Sequence, residues 1–211
     1  MTKIKICGIV CHRGIEAVNL FLPDYIGFVF AKESRRMVTL ETAKTLKGRL
    51  DGRIKAVGVF VDEEIGSIVE AANQDIIDLI QLHGRETEDY INKLKKKTKV
   101  PLIKAVQASS PEEVTRALST SADMLLFDSQ RPGSGKTFDH SLIPQGIRKP
   151  FFMAGGLNTD NVETVMGICR PFGLDVSSGV ETSGQKDEEK IRKFIETVRK
   201  TDHDNERMAR I

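Results

Sequence analysis

The segment KIKICGIVCHRGIEAVNLFLPDYIGFVF, residues 3–30, contains the pattern that decides the fold. It opens with a short apolar run at 3–7 (KIKIC) and closes with a second one at 25–30 (YIGFVF). Short apolar runs rich in β-branched or aromatic residues are typical of buried strands. The residues between the two runs leave room for a helix, so the segment predicts a strand–helix–strand unit.

The same alternation continues along the rest of the chain. Apolar residues at helical spacing lie between the strand candidates, for example Ile65, Ile68, Val69 and Ala72. Ser110-Pro111-Glu112-Glu113 has the pattern of a helix start, with a capping serine followed by proline at the first helical position. Further strands are predicted at 54–61, 76–82, 100–106, 123–128, 150–154 and 173–177.

Strand–helix units repeated in this way predict a parallel sheet covered by helices. An open doubly wound sheet would usually have fewer strands and a glycine-rich first turn. Eight units averaging about 26 residues instead match a closed (β/α)8 barrel near its lower size limit of ~200 residues. We therefore predict one α/β barrel domain over 1–200, with a short sixth helix at 140–147 and a charged tail at 201–211.

The composition excludes several classes of protein. The chain has 211 residues, of which 39% are hydrophobic, so it is neither a disordered nor a disulfide-scaffold sequence. Lys and Arg number 32 against 30 Asp and Glu, and this balance argues against a nucleic-acid or membrane-surface partner. No apolar stretch approaches the ~18–20 residues of a membrane span, and no signal peptide is visible. Three scattered cysteines suit a reducing compartment, so we expect a cytoplasmic protein, either a monomer or a homodimer.

The residues that follow the strands of such a barrel line one rim, where the chemistry is built. Most of the unusual residue types in this chain fall there, whereas chance would scatter them over both rims. They are Cys7, residues 31–36, Asp62, His83, Gln107, Asp128-Ser129, Gly155-Gly156 and Ser177-Ser178-Gly179.

Two glycine loops are the candidate phosphate site. Gly155-Gly156 leads into a helix that begins near Thr159, and Gly179 follows the eighth strand. Glycines let backbone N–H groups approach an anion, and loops after strands seven and eight bind phosphate in many barrels. The alternative is that these glycines only form tight turns. The segment 133–137 (GSGKT) lacks the first glycine of a nucleotide-binding P-loop, and we interpret it as a lid over the site.

Cys7 is the candidate reactive thiol because it ends the first strand. Cys7, Cys11 and His12 are close enough in sequence to suggest a metal site, but no second Cys/His cluster completes the ligand set. A nucleophilic or basic Cys7 is therefore favoured. Cys169 falls on an apolar helix stripe and is expected to be an inert core thiol. His83 is either part of the site or a structural hydrogen-bond partner.

Several motifs occur in the order in which one enzyme family carries them. They are KICGI (5–9), GFVF with SRR (27–30 and 34–36), VGVFV (57–61), QLHG (81–84), LLFDS (125–129), GSGKTFD (133–139), AGGLN (154–158) and DVSSGVE (175–181). Together they resemble phosphoribosylanthranilate isomerase, a (β/α)8-barrel enzyme of tryptophan biosynthesis. The resemblance spans the chain from the first strand to the last helix, and KICGI followed by DVSSGVE is its most specific part.

The resemblance implies an Amadori rearrangement without cofactor or metal. N-(5-phosphoribosyl)anthranilate, an aminoaldose, would become 1-(2-carboxyphenylamino)-1-deoxyribulose 5-phosphate, an aminoketose. In enzymes similar to this one the KICGI cysteine, here Cys7, is the general base, and the aspartate of the sixth-strand motif, here Asp128, is the general acid. Arg36 would contact the anthranilate carboxylate, with Arg35 as the competing candidate. The expected substrate-binding residues are Arg36, His83, Gly155, Gly156, Ser178 and Gly179.

Two other functions stay open at this point. The analogous Amadori isomerase of histidine biosynthesis uses a pair of aspartates as acid and base, so a cysteine at the end of strand one argues against it. A non-catalytic phosphoribosyl-binding barrel would bind a product analogue without turnover, and it would leave Cys7 and Asp128 unexplained.

Overall fold

The computed structural model describes residues 1–107, 110–128, 143–144 and 146–208. Eight parallel strands form a closed barrel in chain order, because β1 pairs with both β2 and β8. This closure confirms the predicted (β/α)8 barrel and excludes the open sheet. The strands are β1 (Lys3–Cys7), β2 (Tyr25–Val29), β3 (Lys55–Phe60), β4 (Leu79–Leu82), β5 (Leu102–Gln107), β6 (Met124–Asp128), β7 (Phe151–Ala154) and β8 (Gly173–Val176).

Helices connect the strands on the outside of the barrel. No helix in the described part of the chain has the length and apolar character needed to cross a membrane. The predicted lid at 133–137, Ser129 and half of the predicted sixth helix lie outside the described residues. The helices are α1 (His12–Phe21), α2 (Leu40–Lys47), α3 (Ile65–Asn73), α4 (Glu88–Lys97), α5 (Pro111–Leu118), α6 (Val162–Cys169) and α7 (Glu188–Met208).

Two apolar layers stabilise this arrangement. The larger layer lies between the strands and the helices and includes Ile4, Phe28 and Phe194. The smaller layer fills the barrel interior, because alternate residues of each strand point inward; its members include Tyr25, Val57, Leu79, Ile103, Leu126 and Phe152. The interior is therefore a packed floor beneath the carboxyl ends of the strands, and it includes a fully buried charged residue, Lys5.

A local sequence signal accounts for the start of α5. The predicted cap at Ser110 is confirmed, since its hydroxyl oxygen accepts a hydrogen bond from the Glu113 backbone N–H at 3.3 Å. The fourth strand is shorter than the predicted 76–82. Asp75 adopts a φ of +54°, so Ile76 and Ile77 are buried in the connection after α3 and not in the sheet.

The last helix extends into the segment predicted as a tail, because α7 continues to Met208. Asp202 on this helix is only 8% exposed. Its carboxylate accepts hydrogen bonds from the backbone N–H and the hydroxyl of Thr2, both at 2.7 Å. Asp202 therefore attaches the end of α7 to the start of the chain.

We predict that Asp202→Ala lowers the free energy of unfolding by about 1–3 kcal/mol, because two donors of Thr2 lose their acceptor. Asp204→Ala is the matched control, since Asp204 lies on the same helix and its side chain is 54% exposed. Urea denaturation of both variants measures the difference. Equal, small effects would mean that residues 201–208 add nothing to the stability of the barrel.

Candidate active site

A cavity of about 320 Å³ opens at the carboxyl ends of the strands. Seven of the eight predicted site residues line it, although they come from distant parts of the sequence. They are Cys7, Arg36, His83, Asp128, Gly155, Gly156 and Ser178. The eighth residue, Gly179, packs directly behind them against Leu157. The barrel thus brings the predicted residues together at one rim.

Cys7 ends β1 and lies beside a position that has no side chain. It pairs in register with Gly27 of β2. A Cβ atom on Gly27 would lie 2.7 Å from Cys7 Sγ and 3.2 Å from Lys5 Nζ. The thiol and the ammonium group therefore converge on the space that this glycine leaves open.

The charges around Cys7 act in opposite directions. Burial raises the pKa of the Cys7 thiol, the Lys5 ammonium lowers it, and the Asp175 carboxylate raises it again. The net result is a pKa above the usual value for cysteine. Cys7 is consequently a thiol in most molecules at neutral pH, with Lys5 beside it to stabilise the thiolate once it forms.

Lys5 and Asp175 form a buried ion pair between adjacent strands. Lys5 Nζ donates to Asp175 Oδ2 at 2.9 Å. Burial alone would lower the pKa of Lys5, but the charges of Asp175 and Cys7 raise it above its ordinary value. Lys5 is therefore an ammonium ion inside the barrel.

This pair is not among the residues predicted from the sequence. One signal was available, because Lys5 and Cys7 are two residues apart in a strand and so point to the same face. A lysine that points into an apolar barrel needs an anionic partner. The sequence does not identify that partner, which lies 170 residues away along the chain.

Asp128 ends β6 and is held beside His83. The His83 Nε2 atom lies 3.3 Å from Asp128 Oδ2. The other ring nitrogen, Nδ1, lies 2.9 Å from Gln81 Nε2, and in this orientation the amide donates to it. A neutral imidazole then carries its hydrogen on Nε2, facing Asp128. His83 thus lines the cavity and also orients the carboxylate.

Arg36 reaches the cavity by crossing Gly8. A Cβ atom on Gly8, which has a φ of +83°, would lie 2.3 Å from Arg36 Cδ, so the arginine needs a glycine beneath it. Arg36 Nε and Nη2 donate to the two carboxylate oxygens of Glu181 at 2.6 and 2.7 Å. Arg35 is 67% exposed along its side chain and is 3.5 Å from Glu181. Of the two arginines, Arg36 is the one that lines the cavity.

A short hairpin after β8 supplies the anchor for Arg36. It consists of β9 (Glu181–Thr182) and β10 (Gln185–Lys186). Lys186 Nζ donates to Glu181 Oε1 at 2.7 Å and to the Ser177 carbonyl oxygen at 3.0 Å. Glu181 therefore lies between two cations, and its position fixes the direction of the Arg36 guanidinium.

The two glycine loops meet at one side of the cavity. Gly155 and Gly156 have φ values of +89° and +65°, in the left-handed region that favours glycine. A Cβ atom on Gly179 would lie 1.9 Å from the Leu157 carbonyl oxygen, so only glycine allows this contact between the loops. Within the described ranges, no acceptor engages the backbone N–H of Gly156, Ser178 or Gly179. Three N–H groups on adjoining loops are suited to an anion.

The remaining sequence candidates lie outside this cavity. Cys11 and His12 are exposed at the start of α1. Cys169 is half-buried on α6, and burial raises the pKa of its thiol to about 11. Asp62 and Gln107 line a second cavity of about 870 Å³ between α4 and α5.

Comparison of the sequence with known proteins identifies one enzyme family. The sequence model of the family described as N-(5′phosphoribosyl)anthranilate (PRA) isomerase matches residues 4–197. An N-(5′-phosphoribosyl)anthranilate isomerase from Clostridium acetobutylicum is 46% identical, covering 95% of this chain and 99% of the relative.

Solved structures agree with the sequence relatives. Phosphoribosyl anthranilate isomerase from Thermotoga maritima superposes with a TM-score of 0.86 at 36% identity, covering 94% of this chain and 99% of that one. A phosphoribosyl anthranilate isomerase in complex with reduced 1-(o-carboxyphenylamino)-1-deoxyribulose 5-phosphate gives a TM-score of 0.83 at 34% identity, with the same coverage.

We predict that alkylation of Cys7 by iodoacetamide is slow at neutral pH and reaches half its maximal rate above pH ~8.5, the ordinary value for a free thiol. The reason is the raised pKa of the Cys7 thiol, since only the thiolate reacts. The rate is measured against pH in a Cys11→Ser/Cys169→Ser variant, where Cys7 is the remaining thiol. A midpoint below that of free cysteine would contradict the described charge balance.

Proposed function

The chain belongs to the N-(5′-phosphoribosyl)anthranilate isomerase family, and we propose that it converts N-(5-phosphoribosyl)anthranilate into 1-(2-carboxyphenylamino)-1-deoxyribulose 5-phosphate. The observation that carries this proposal is the shared cavity of Cys7 and Asp128, which reach it from β1 and β6. A proton donor and a proton acceptor on different strands can act on two neighbouring parts of one substrate.

The reaction requires two proton transfers in sequence. Asp128 as general acid protonates the ring oxygen, so that the bond from C1′ to this oxygen breaks and a cationic imine forms at C1′. Cys7 as general base then removes the proton from C2′, which neutralises the imine and gives an enol. Return of that proton from Cys7 to C1′ and transfer of the C2′ hydroxyl proton to the Asp128 carboxylate give the ketone and restore both residues. All atoms of the substrate are retained, as an isomerisation requires.

The neighbours of the two residues suit these roles. Lys5 lies beside the Cys7 sulfur and offsets the negative charge of a thiolate. His83 and Gln81 hold the Asp128 carboxylate toward the cavity. General acid and base groups need such orientation, because proton transfer occurs within hydrogen-bond distance.

The phosphate is proposed to bind to the backbone N–H groups of Gly156, Ser178 and Gly179. These donors are neutral, and they adjoin because Gly179 packs against Leu157. The anthranilate carboxylate is proposed to bind Arg36. The Glu181 carboxylate accepts hydrogen bonds from Nε and Nη2 of the Arg36 guanidinium, so Nη1 is the group that remains for the substrate.

Two features separate this proposal from the alternatives. The histidine-pathway isomerase would need an aspartate where this chain has Cys7, and a purely binding barrel would not need an acid and a base in one cavity. The three cysteines form no disulfide bond in the structure, which supports the cytoplasm as the proposed compartment.

We predict that Cys7→Ala and Asp128→Asn each lower kcat at least ~10²-fold, because general acid–base groups typically contribute 10²–10⁴. Both variants should still bind the reduced product analogue. The assay follows loss of substrate fluorescence with freshly generated phosphoribosylanthranilate. Cys11→Ala and Cys169→Ser are the thiol controls and should stay within a few-fold of the unmodified protein. Full activity of Cys7→Ala would refute the role of the thiol.

The phosphate site is tested by a matched pair at one glycine. Asparagine and aspartate both tolerate the left-handed backbone of Gly156 and differ in charge. We predict that Gly156→Asp raises KM at least tenfold more than Gly156→Asn, since only the former places a carboxylate against the phosphate. Equal KM values would place the phosphate elsewhere.

A further inference from the structure

In the described part of the chain, one carboxylate oxygen of Asp175 is engaged and the other receives no hydrogen bond. Oδ2 accepts from Lys5 Nζ at 2.9 Å. Among the residues that the structure describes, none donates to Oδ1, although this atom is buried. Asp175 is 8% exposed and lines the same cavity as Cys7. Lys5 occupies Oδ2, so the carboxylate oxygen left for a ligand is Oδ1.

The oxygen without a donor lowers the free energy of unfolding, and packing alone does not explain why it is retained. A buried acceptor without a donor lowers the stability of the folded protein, and the cost is larger for a charged group. Lys5 offsets the charge of Asp175 but engages only one of its oxygens. Buried polar groups without a partner are few in folded proteins, and a catalytic role or a bound water or ion can account for them.

The missing donor can be located from the neighbours of the carboxylate. Lys5 lies beside both Cys7 and Asp175, which are on the adjacent strands β1 and β8. Under the proposed function, Cys7 acts on the hydrogen of C2′, and the same carbon carries a hydroxyl group. The Asp175 carboxylate, which lies near the Cys7 sulfur, is therefore placed to accept a hydrogen bond from the hydroxyl group on the carbon that is being deprotonated.

We propose that Asp175 is a substrate-binding residue whose Oδ1 accepts a hydrogen bond from the hydroxyl group on C2′, with Lys5 as the residue that positions it. The proposal rests on the function proposed above. When the C2′ proton leaves, the hydroxyl becomes an enol and its proton becomes more acidic. A hydrogen bond to a carboxylate strengthens at that stage, so the contact favours the reacting state over the bound substrate.

The contact is tested by the binding of two unreactive ligands. The reduced product analogue carries a hydroxyl group on C2′, and its 2′-deoxy counterpart does not. In the unmodified protein, removal of this hydroxyl is expected to weaken binding about tenfold to hundredfold, the range for a hydrogen bond to a charged group. Calorimetry measures both dissociation constants, and their ratio is independent of any general loss of affinity.

The decisive variant is Lys5→Met/Asp175→Leu, which removes both buried charges together and leaves no unpaired ion. In this variant, loss of the C2′ hydroxyl is expected to raise the dissociation constant less than about threefold. Asp62→Asn is the control, since Asp62 follows the third strand and lines the other cavity, and it should keep the ratio of the unmodified protein. Where the double variant does not fold, Asp175→Asn replaces it and should lower the ratio at least threefold.

An unchanged ratio in the folded variant would overturn the role of Asp175. Turnover of phosphoribosylanthranilate by the unmodified protein is measured in a separate assay and tests the proposed function independently of the binding ratio. Turnover with an unchanged ratio would refute the Asp175 contact alone. Absence of turnover would refute the function on which the proposal rests.

Discussion

Closure of eight parallel strands is the constraint on which the site depends. Each strand contributes its carboxyl end to the same rim, so residues as distant in sequence as Cys7 and Asp128 line one cavity. The packed interior of aromatic and aliphatic side chains forms the floor of this cavity. A rigid floor matters for acid–base chemistry, because proton transfer requires donor and acceptor to be held within hydrogen-bond distance.

The charges of the site are arranged in pairs around that floor. Lys5 pairs with Asp175 below the cavity, and Arg36 and Lys186 pair with Glu181 at its edge. Each pair fixes the direction of a group that lines the cavity. The proposed phosphate end is different, since it offers neutral backbone N–H groups on two loops that touch through Gly179. The proposed site thus uses ion pairs to position side chains and backbone groups to bind the anion.

Periodicity and local motifs were sufficient to predict the barrel and the membership of the rim. The alternation of strands and helices follows from the apolar pattern of short runs of residues. The Ser110 cap is likewise a contact within four residues. The Lys5–Asp175 and Arg36–Glu181 pairs were not predicted, because their partners are 170 and 145 residues apart. Local spacing carries no information about such pairs. The shorter fourth strand was missed for a related reason, since Ile76 and Ile77 are apolar but pack outside the sheet.

The central claim is that substrate lies with its phosphate on the glycine loops and its C2′ atom at Cys7. The most direct measurement is a crystal structure of the protein with the reduced product analogue. The account predicts phosphate oxygens within hydrogen-bond distance of the N–H groups of Gly156, Ser178 and Gly179. It also predicts the C2′ atom about 3–3.5 Å from Cys7 Sγ, the separation of reacting atoms before reaction. Phosphate bound in the cavity between α4 and α5, or a C2′ atom out of reach of the sulfur, would contradict it.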